Sequence, residues 1–413
     1  MKNFLVHNDN IKKEMLTTIG VTDIDDLFRQ IPESVRLNKL ELDEAKSEME
    51  VQKIIKGYAK ENKSDFIDFK GGGVYNKFVP ACINQVAQRF EFLTAYTPYQ
   101  AEIAQGTLQI MYEFQTMISR ITGMDIANAT VYDGASACAE AILMAVRISK
   151  KDKVLVHNKI NPEYLDVIKT YSWAGNIAVE TFDELPENVS EYGCVLIQTP
   201  DYYGEIHEIK KSEDTILIVC TDFSTLSILN PPTEADIVVG DIQSLGIPMS
   251  FGGPHAGVIA CKEKYMRQMP GRLAGRTVDA EGNQAFTLTI QTREQHIKRE
   301  KATSNICSNQ ALMGLWVNLY LSVMGERGFR QAGYLSSKNA HLLANQLKSK
   351  GYSIENKNFF NEFTVITPNS EEFLNKLEKV NISGGIKLDD KRVLVAATEM
   401  ITEADIELYV KTV

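Results

Sequence analysis

The sequence lacks the residue patterns that mark several large classes of protein. None of its six cysteines forms a C-x-x-C pair or lies at metal-ligand spacing from a histidine, so we expect no metal in the functional site. It also lacks a His-x-x-x-His pair, a Walker loop and a G-x-S-x-G elbow. The sequence therefore gives no support to zinc-hydrolase, P-loop or serine-hydrolase chemistry.

Charge and hydropathy argue against two further kinds of partner. The formal net charge is −10 and no long basic run occurs, so nucleic acid and anionic membrane surfaces are poor candidate partners. No apolar stretch approaches the roughly 20 residues of a membrane span. The first residues, MKNFLVHNDNIKKE, lack the apolar core of a secretory signal. We therefore expect a cytoplasmic protein with reduced cysteines.

The length of 413 residues predicts two or three domains, and three segments differ in pattern. Residues 1–72 are charged and helical in pattern, and they end in a glycine triplet. Residues 73–328 alternate apolar runs with helix-length segments, whereas residues 329–413 mix helices and strands in a different rhythm. We interpret them as an N-terminal helical segment, a large α/β domain and a small C-terminal α+β domain.

Six short apolar runs in the central segment predict β-strands. Several are apolar throughout rather than alternating, as in strands that are covered on both faces. Because helix-length segments separate them, they predict a mostly parallel, doubly covered sheet. The runs are Val154–His157, Ile177–Thr181, Cys194–Gln198, Ile216–Cys220, Ile237–Gly240 and Val258–Cys261.

Two polar features occupy positions at which open α/β sheets bind ligands. Residues 132–136, Tyr-Asp-Gly-Ala-Ser, form a small-residue turn before a predicted helix, whose free N–H groups suit a phosphate. A plain turn with a serine cap is the simpler interpretation. Asp222 follows a predicted strand and faces the usual ligand crevice. Such an aspartate keeps the pyridine nitrogen protonated in pyridoxal-phosphate enzymes, although a turn cap also explains it.

The segment after the next predicted strand, residues 241–246, contains no lysine. A Schiff-base enzyme needs a lysine shortly after that strand. The segment has Gln243 instead, and a glutamine amide cannot form an imine. The nearest lysines, Lys262 and Lys264, follow another strand and open a charged helix, where a solvated role is the simpler interpretation.

Two further polar segments allow both a structural and a binding interpretation. Residues 303–305, Thr-Ser-Asn, either cap the helix that follows or donate to a phosphate or carboxylate at an interface. Residues 96–100 surround Pro98 at the predicted start of a long helix. Packing is the simpler interpretation of the two tyrosines in that segment.

Five segments together resemble the N-terminal half, or α subunit, of the glycine-cleavage P-protein family. The resemblance covers nearly the whole chain, and the last three segments are long and specific. The segments are TAYTPYQAEIAQGTLQ at 94–109, DGASACAEA at 133–141, GDIQSLGIPMSFGGPHAG at 240–257, MPGRLAGRTVD at 269–279 and QTREQHIKREKATSNICSNQAL at 291–312.

The resemblance implies the fold type I architecture of pyridoxal-phosphate enzymes. In the family the β subunit carries the Schiff-base lysine, followed by an Ile-Pro and a glycine-rich stretch. When that Ile-Pro is aligned with Ile247-Pro248, the lysine position falls on Gln243. The chain thus resembles a duplicated enzyme half that has lost its lysine and is inactive alone. Gly134, Ser136 and Asp222 then resemble remnants of a cofactor site.

Active sites of this fold lie at subunit interfaces, so the resemblance also implies that this chain completes the partner's site. Each subunit of such an enzyme donates groups to the cofactor of its neighbour. By analogy of position, the candidates that reach the partner's cofactor are Tyr96, Tyr99, Gln100, Gly252, Gly253, Thr303, Ser304 and Asn305.

The implied enzyme decarboxylates glycine within the glycine cleavage system. Its β subunit binds pyridoxal 5'-phosphate covalently, and the aminomethyl group left by decarboxylation passes to the lipoyl arm of the H-protein. The T and L proteins of the system are further partners. Two other interpretations stay open: a non-catalytic scaffold subunit, and an autonomous pyridoxal-phosphate transferase or lyase that uses Lys262 or Lys301.

Overall fold

The structure, a computed structural model, describes residues 7–37, 39–62, 65–93 and 96–413. It divides into two compact units, Met1–Ser64 and Asp65–Val413. Residues 94 and 95, which begin the first family-like segment, lie outside the described residues. Within those described ranges, no helix is both long and apolar enough to cross a membrane.

Helices occur in both units, and the strands belong to the second. The α-helices are α1 (Asp9–Ile19), α2 (Glu48–Glu61), α3 (Ala81–Ala87), α4 (Phe90–Leu93), α5 (Gln105–Thr122), α6 (Gly134–Ser149), α7 (Pro162–Ala174), α8 (Gln295–Lys298), α9 (Ala311–Ser349), α10 (Ser370–Glu378) and α11 (Glu403–Thr412). The strands are β1 (Ile67–Asp68), β2 (Ile126–Ala127), β3 (Lys153–His157), β4 (Ala178–Phe182), β5 (Cys194–Gln198), β6 (Ile216–Cys220), β7 (Ile237–Asp241), β8 (Gly257–Cys261), β9 (Leu273–Val278), β10 (Gln284–Thr289), β11 (Ser353–Ile354), β12 (Glu362–Ile366), β13 (Ile382–Ser383), β14 (Ile386–Lys387) and β15 (Arg392–Ala396). Short 3-10 helices cover Ile24–Phe28, Glu33–Val35, Ala101–Ile103, Phe223–Ser227, Glu263–Gln268, Gln291–Arg293 and Arg299–Lys301.

The first unit is helical, as its sequence predicts. Early acidic residues and late lysines predict a helix over residues 41–62. Helix α2 begins later, at Glu48, because Ser47 and Glu50 form a capping box there. Helix α1 begins after Asn8, whose side chain accepts from the N–H groups of Asn10 and Ile11. No described residue of this unit is buried, so its apolar side chains lie on its surface.

A seven-stranded sheet is the centre of the second unit. Its strand order is β2-β8-β7-β6-β5-β3-β4. The neighbouring pairs from β4 to β7 are all parallel, whereas β8 and β2 each run antiparallel to the strand that they join. All six predicted runs are strands of this sheet, with ends that differ by at most one residue. The predicted mostly parallel sheet is therefore confirmed.

Each face of this sheet packs into its own hydrophobic core. Leu217 and Val219 of β6 enter one cluster with α5 residues, whereas Ile216 and Ile218 enter the other with α6 residues. Successive side chains of a strand point to opposite faces, so both faces of β6 are buried. This double coverage explains why these strands are apolar throughout.

The C-terminal part of the second unit contains a separate antiparallel sheet with the order β11-β12-β15-β14. The end of α9, α10 and α11 cover it and share its core. This part of the chain thus has the predicted combination of helices and an antiparallel sheet. The division of the chain at residues 72 and 328 stays a prediction.

The long helix α9 contains one break, at Gly325, where φ is 58° and ψ is −179°. The sequence predicts breaks at Gly325 and Gly328. The break at Gly325 is confirmed, because a residue without Cβ adopts a positive φ at little cost. The predicted break at Gly328 is wrong, since α9 continues through that residue. The predicted start of this helix near Thr303 is wrong, since α9 begins only at Ala311.

Candidate functional site

A small cavity lies at the carboxyl ends of the parallel strands. Its lining includes Gln198, Cys220 and Asp241, which end β5, β6 and β7, together with Asp222. This is the edge at which open α/β sheets bind ligands. The cavity volume is only about 40 Å³. Ligand pockets in proteins typically measure about 300–1,000 Å³, so this cavity is too small for a cofactor.

Gln243, at the position predicted to correspond to a Schiff-base lysine, is fully buried beside this cavity. Its Oε1 accepts a hydrogen bond from the Tyr75 N–H at 2.9 Å. Its Nε2 donates to the Tyr75 carbonyl at 3.0 Å and to the Ile247 carbonyl at 2.7 Å. Both amide hydrogens are thus used on main-chain carbonyls, and the side chain has a structural role.

Asp222 has one carboxylate oxygen in use and one without a partner. Its Oδ1 accepts from the Ser224 N–H at 2.7 Å and from the Ser244 hydroxyl, so it caps the 3-10 helix that follows. Its buried Oδ2 makes no hydrogen bond to any described residue. That free oxygen is the one feature of the cavity that fits a protonated pyridine ring.

The N-terminus of α6, where a phosphate would bind, already carries carboxylates. Asp133 Oδ1 accepts from the Ser136 N–H at 2.7 Å, and Asp241 Oδ2 accepts from the Gly134 N–H at 3.1 Å. A Cβ at Gly134 would lie 2.3 Å from the Tyr164 hydroxyl, so that phenol fills the remaining space. Two carboxylates repel a phosphate and use the N–H groups it needs.

A buried carboxylic acid closes the cavity from the C-terminal sheet. Glu362 of β12 accepts from the Gly72 N–H at 2.6 Å and from the Tyr75 hydroxyl at 2.9 Å. Burial raises the pKa of Glu362 to about 7, although these two hydrogen bonds lower it in part. Tyr75 thus joins Glu362 to Gln243 through its side chain and its main chain.

These residues do not fit pyridoxal phosphate. The cavity is about 40 Å³, and no lysine is among the described residues that line it. The predicted remnant residues Gly134, Ser136 and Asp222 do lie at this edge of the sheet, but they bond to residues of the same chain. We derive no cofactor chemistry from this cavity.

Neither alternative lysine reaches the cavity. Lys262 follows Cys261, the last residue of β8, which pairs with Ile237 at the start of β7. Lys262 therefore lies at the amino ends of the parallel strands, opposite the cavity. There its Nζ is 3.7 Å from the buried carboxylate of Asp236. Lys301 is exposed in a 3-10 helix. An autonomous enzyme that uses either lysine therefore finds no support.

A second, larger cavity brings together three of the predicted interface residues. Tyr99, Thr303 and Ser304 line it, and its volume is about 300 Å³. Arg272 also lines it and donates to the Tyr99 hydroxyl at 3.2 Å and to the Cys307 carbonyl at 2.7 Å. Ser304 donates to Glu140 at 2.8 Å, so it does not cap α9.

The other predicted interface residues lie outside this cavity. Tyr96, Gln100 and Asn305 are exposed. Gly252 and Gly253 belong to a projecting loop in which residues 250–253 all have positive φ. The side chain of Phe251 in that loop is fully exposed. Non-glycine residues with positive φ are strained, and such strain concentrates at binding sites.

Sequence reasoning missed the two arginines of the larger cavity, Arg272 and Arg293. Both are buried, and both lie in family-like segments. The sequence does offer a signal for Arg272, which directly precedes the apolar pair Leu273-Ala274. A charged residue beside a buried apolar segment indicates a site, because a buried charge needs a partner.

Comparison with known proteins decides the family. The family model described as "Glycine cleavage system P-protein" matches residues 2–413. This chain belongs to the glycine cleavage system P-protein family. Among curated relatives, the "probable glycine dehydrogenase (decarboxylating) subunit 1" of Solibacter usitatus is 41% identical, over 98% of this chain and 96% of that protein. The protein of the same name from Geobacillus thermodenitrificans is 42% identical, over 99% and 98%.

Solved structures agree with the family and with its fold. The glycine decarboxylase (P-protein) of the glycine cleavage system, in inhibitor-bound form, is 37% identical and aligns with a TM-score of 0.89 over 99% of both chains. A NifS-like protein, 11% identical, aligns with a TM-score of 0.60 over 84% of this chain and 97% of its own. The chain described here thus has the fold type I architecture that its family resemblance implies.

Proposed function

We propose that this chain is the non-lysine subunit of a glycine decarboxylase and that it acts only with a second subunit. The observation that carries the proposal is the state of Gln243, whose amide replaces the lysine and is bonded to Tyr75 and Ile247. A chain that cannot form the Schiff base needs a partner that can. The name "subunit 1" of the curated relatives supports such a partner.

In this proposal the partner subunit binds pyridoxal 5'-phosphate covalently, and the cofactor supplies the electron sink for decarboxylation. Glycine is the substrate, and the aminomethyl group passes to the lipoyl arm of the H-protein. The T and L proteins complete the system, in the cytoplasm. The protein family and the P-protein structure that aligns with this chain support the assignment of the reaction.

This chain contributes groups that close the partner's site. The candidates are the exposed segment with Tyr96, Tyr99 and Gln100, the loop with Gly252 and Gly253, and residues 303–305. Two observations support them: Tyr99, Thr303 and Ser304 share one cavity, and residues 250–253 hold a strained, projecting backbone. Preorganised donors of this kind contribute several kcal/mol to catalysis, about 3 kcal/mol for one oxyanion donor.

Borohydride trapping of pyridoxal phosphate tests the proposal. The purified chain, the purified partner and their mixture are reduced, mapped by peptide analysis and assayed for exchange between glycine and CO2. We expect label on the partner alone and exchange only in the mixture. A reduced adduct on one lysine of this chain would make it an enzyme in its own right and would overturn the proposal.

The scaffold interpretation differs in what surface variants change. Tyr96 is 73% exposed, so replacing it perturbs an interface without disturbing a core. If the chain is only a scaffold, Tyr96→Ser and Asn305→Ala weaken assembly and leave the turnover of assembled enzyme unchanged. If it completes the site, turnover of assembled enzyme falls. Tyr334→Ser, at another exposed tyrosine, is the matched control.

A further inference from the structure

Three lysines surround one buried carboxylate at the amino ends of the parallel strands. Asp236, which directly precedes β7, is only 1% exposed. Its Oδ1 accepts a hydrogen bond from Lys211 Nζ at 2.8 Å. The Nζ atoms of Lys262 and Lys264 lie 3.7 and 3.8 Å from the same oxygen. These three residues, the lysine cluster, belong to neither of the cavities described above.

Main-chain bonds fix the position of Asp236. Its Oδ2 accepts from the Leu217 N–H at 3.1 Å, and its carbonyl accepts from the Lys262 N–H at 3.2 Å. The carboxylate is therefore held between β6 and the end of β8. A buried carboxylate needs a cationic partner, and Lys211 at hydrogen-bond distance meets that need. The other two lysines are not required to neutralise it.

The lysine cluster carries two positive charges in excess. Three ammonium groups face Asp236, and no other carboxylate among the described residues forms an ion pair with any of them. Burial lowers the pKa of Lys262, and although Asp236 opposes this shift, Lys211 and Lys264 add to it. The neighbouring cations thus destabilise the charged form of Lys262, and a bound anion would relieve that repulsion.

The ammonium groups keep donors available to a ligand. The side chains of Lys211, Lys262 and Lys264 are 28%, 30% and 61% exposed, so solvent reaches each of them. An ammonium group has three donors. Lys211 gives one to Asp236, and Lys262 gives one to the Glu234 carbonyl at 3.5 Å. Because all three nitrogens lie within 3.8 Å of one oxygen, they are close enough together to bind one ion.

The excess charge favours a dianionic oxyanion over a carboxylate. A phosphate monoester carries a charge of about −1.5 to −2 at neutral pH, which balances the two surplus charges of the cluster. A carboxylate balances only one of them. Charge-assisted hydrogen bonds to phosphate are strong, and lysine binds phosphate as a point charge without the planar geometry that arginine requires.

We propose that Lys211, Lys262 and Lys264 form a binding site for a dianionic phosphate group, either inorganic phosphate or a phosphate monoester. The bound group would join the segment before β6 to the segment after β8 at the base of the sheet. A ligand that binds only the folded state stabilises it, so phosphate should also stabilise this chain. The inference rests on residues of this chain alone and does not depend on the proposed function.

Isothermal titration calorimetry of the full-length chain tests the site, with inorganic phosphate, sulfate and acetate as separate probes at constant ionic strength. We expect phosphate and sulfate to bind saturably at one site per chain. Acetate should bind at least about tenfold more weakly, because it balances one charge instead of two. An absence of saturable phosphate binding would overturn the inference, and equally tight acetate binding would overturn the assignment to a dianion.

Glycerol phosphate distinguishes the two sources of the phosphate group. Binding of this probe as tight as that of inorganic phosphate would uphold the site as one for a phosphate monoester. Saturable binding of inorganic phosphate alone would uphold it as a site for the free ion.

Variants of the cluster decide whether the anion binds there. Lys262→Gln and Lys264→Gln should each weaken phosphate binding about tenfold, because each removes a charge-assisted hydrogen bond. Lys262→Arg keeps the charge and should restore most of the binding. Lys210→Gln is the matched control, since Lys210 is exposed and pairs with Glu208 at 3.3 Å. Unchanged binding in both glutamine variants would place the anion elsewhere and overturn the site.

Chemical labelling of the wild-type chain gives an answer that needs no variant to fold. Acetic anhydride is applied with and without phosphate, and the acetylated lysines are mapped by peptide mass spectrometry. Phosphate should slow the acetylation of Lys262 and Lys264 several-fold and leave the exposed Lys379 unchanged. Equal rates at Lys262 with and without phosphate would contradict the site. None of these measurements uses the partner or turnover, so failure here leaves the proposed function intact.

Discussion

The side-chain amide of Gln243 bonds to both main-chain polar groups of Tyr75, at 2.9 Å to its N–H and at 3.0 Å to its carbonyl. The two residues are 168 positions apart. Gln243, at the position predicted to correspond to a Schiff-base lysine, therefore holds a distant segment against the sheet edge. The Tyr75 hydroxyl extends the connection to Glu362.

A lysine introduced at residue 243 should not form a Schiff base with pyridoxal phosphate. Gln243→Lys leaves the Tyr75 N–H without its acceptor and places an ammonium group in a buried site. We expect a loss of about 3 kcal/mol in the free energy of unfolding, from urea titration, because each unsatisfied buried group costs about 1–3 kcal/mol. Gln109→Lys, at an exposed helical glutamine, is the control and should be close to neutral. Borohydride-stable pyridoxyl label on the Gln243→Lys chain would contradict this prediction.

Glu362 should make the stability of the chain depend on pH. Burial raises its folded pKa to about 7, from a usual value of 4.5. The folded state thus binds the proton more tightly, so this contribution to stability is complete below pH 4.5 and is lost as pH rises through 7. The change is on the order of 3 kcal/mol.

The variant Glu362→Gln should remove that dependence. Its amide can accept from Gly72 and donate to the Tyr75 hydroxyl, so both contacts of the carboxyl group are kept. Urea unfolding at a series of pH values should show that the variant gains stability relative to the wild type between pH 4.5 and 7. Glu187→Gln, at an exposed position, should follow the wild type. Parallel curves for wild type and Glu362→Gln would rule out a raised pKa.

The N-terminus of α6 should tolerate no added atom. A Cβ at Gly134 would lie 2.3 Å from the Tyr164 hydroxyl and 2.8 Å from the Asp241 nitrogen. We expect Gly134→Ala to cost about 1–3 kcal/mol in unfolding free energy through overpacking. Gly106→Ala in α5 meets nothing within 4 Å and should be neutral or stabilising by up to about 1 kcal/mol. A neutral Gly134→Ala would show that open space remains there for a ligand.

Asp222 should matter little to the reaction of the assembled enzyme. Asp222→Asn keeps the oxygen that caps the following helix, and the other oxygen has no partner among the described residues. We expect turnover with the partner to change by less than about twofold. A tenfold or larger loss, with unchanged assembly, would show that this cavity takes part in the reaction after all.

The strands were predictable because their signal is local. Runs such as Ile216–Cys220 are apolar on both faces, and the structure buries both faces. Gly325 was likewise predictable, since a glycine after a long apolar periodicity marks a break. The start of α9 was not, because the side chain of Ser304 bonds to Glu140 instead of capping a helix, and the chain is held at Asn309 and Gln310 by residues 129–130.

The sequence by itself determined the sheet, the family and the absence of a lysine at residue 243. Each of these depends on residue types in short segments. Only the tertiary structure decided that the cavity at the carboxyl ends of the strands is small, with its polar groups bonded within the chain, and that Arg272 and Tyr99 meet in a second cavity. Those contacts join residues 168 and 173 positions apart, and no local periodicity encodes which distant group satisfies a buried amide or guanidinium.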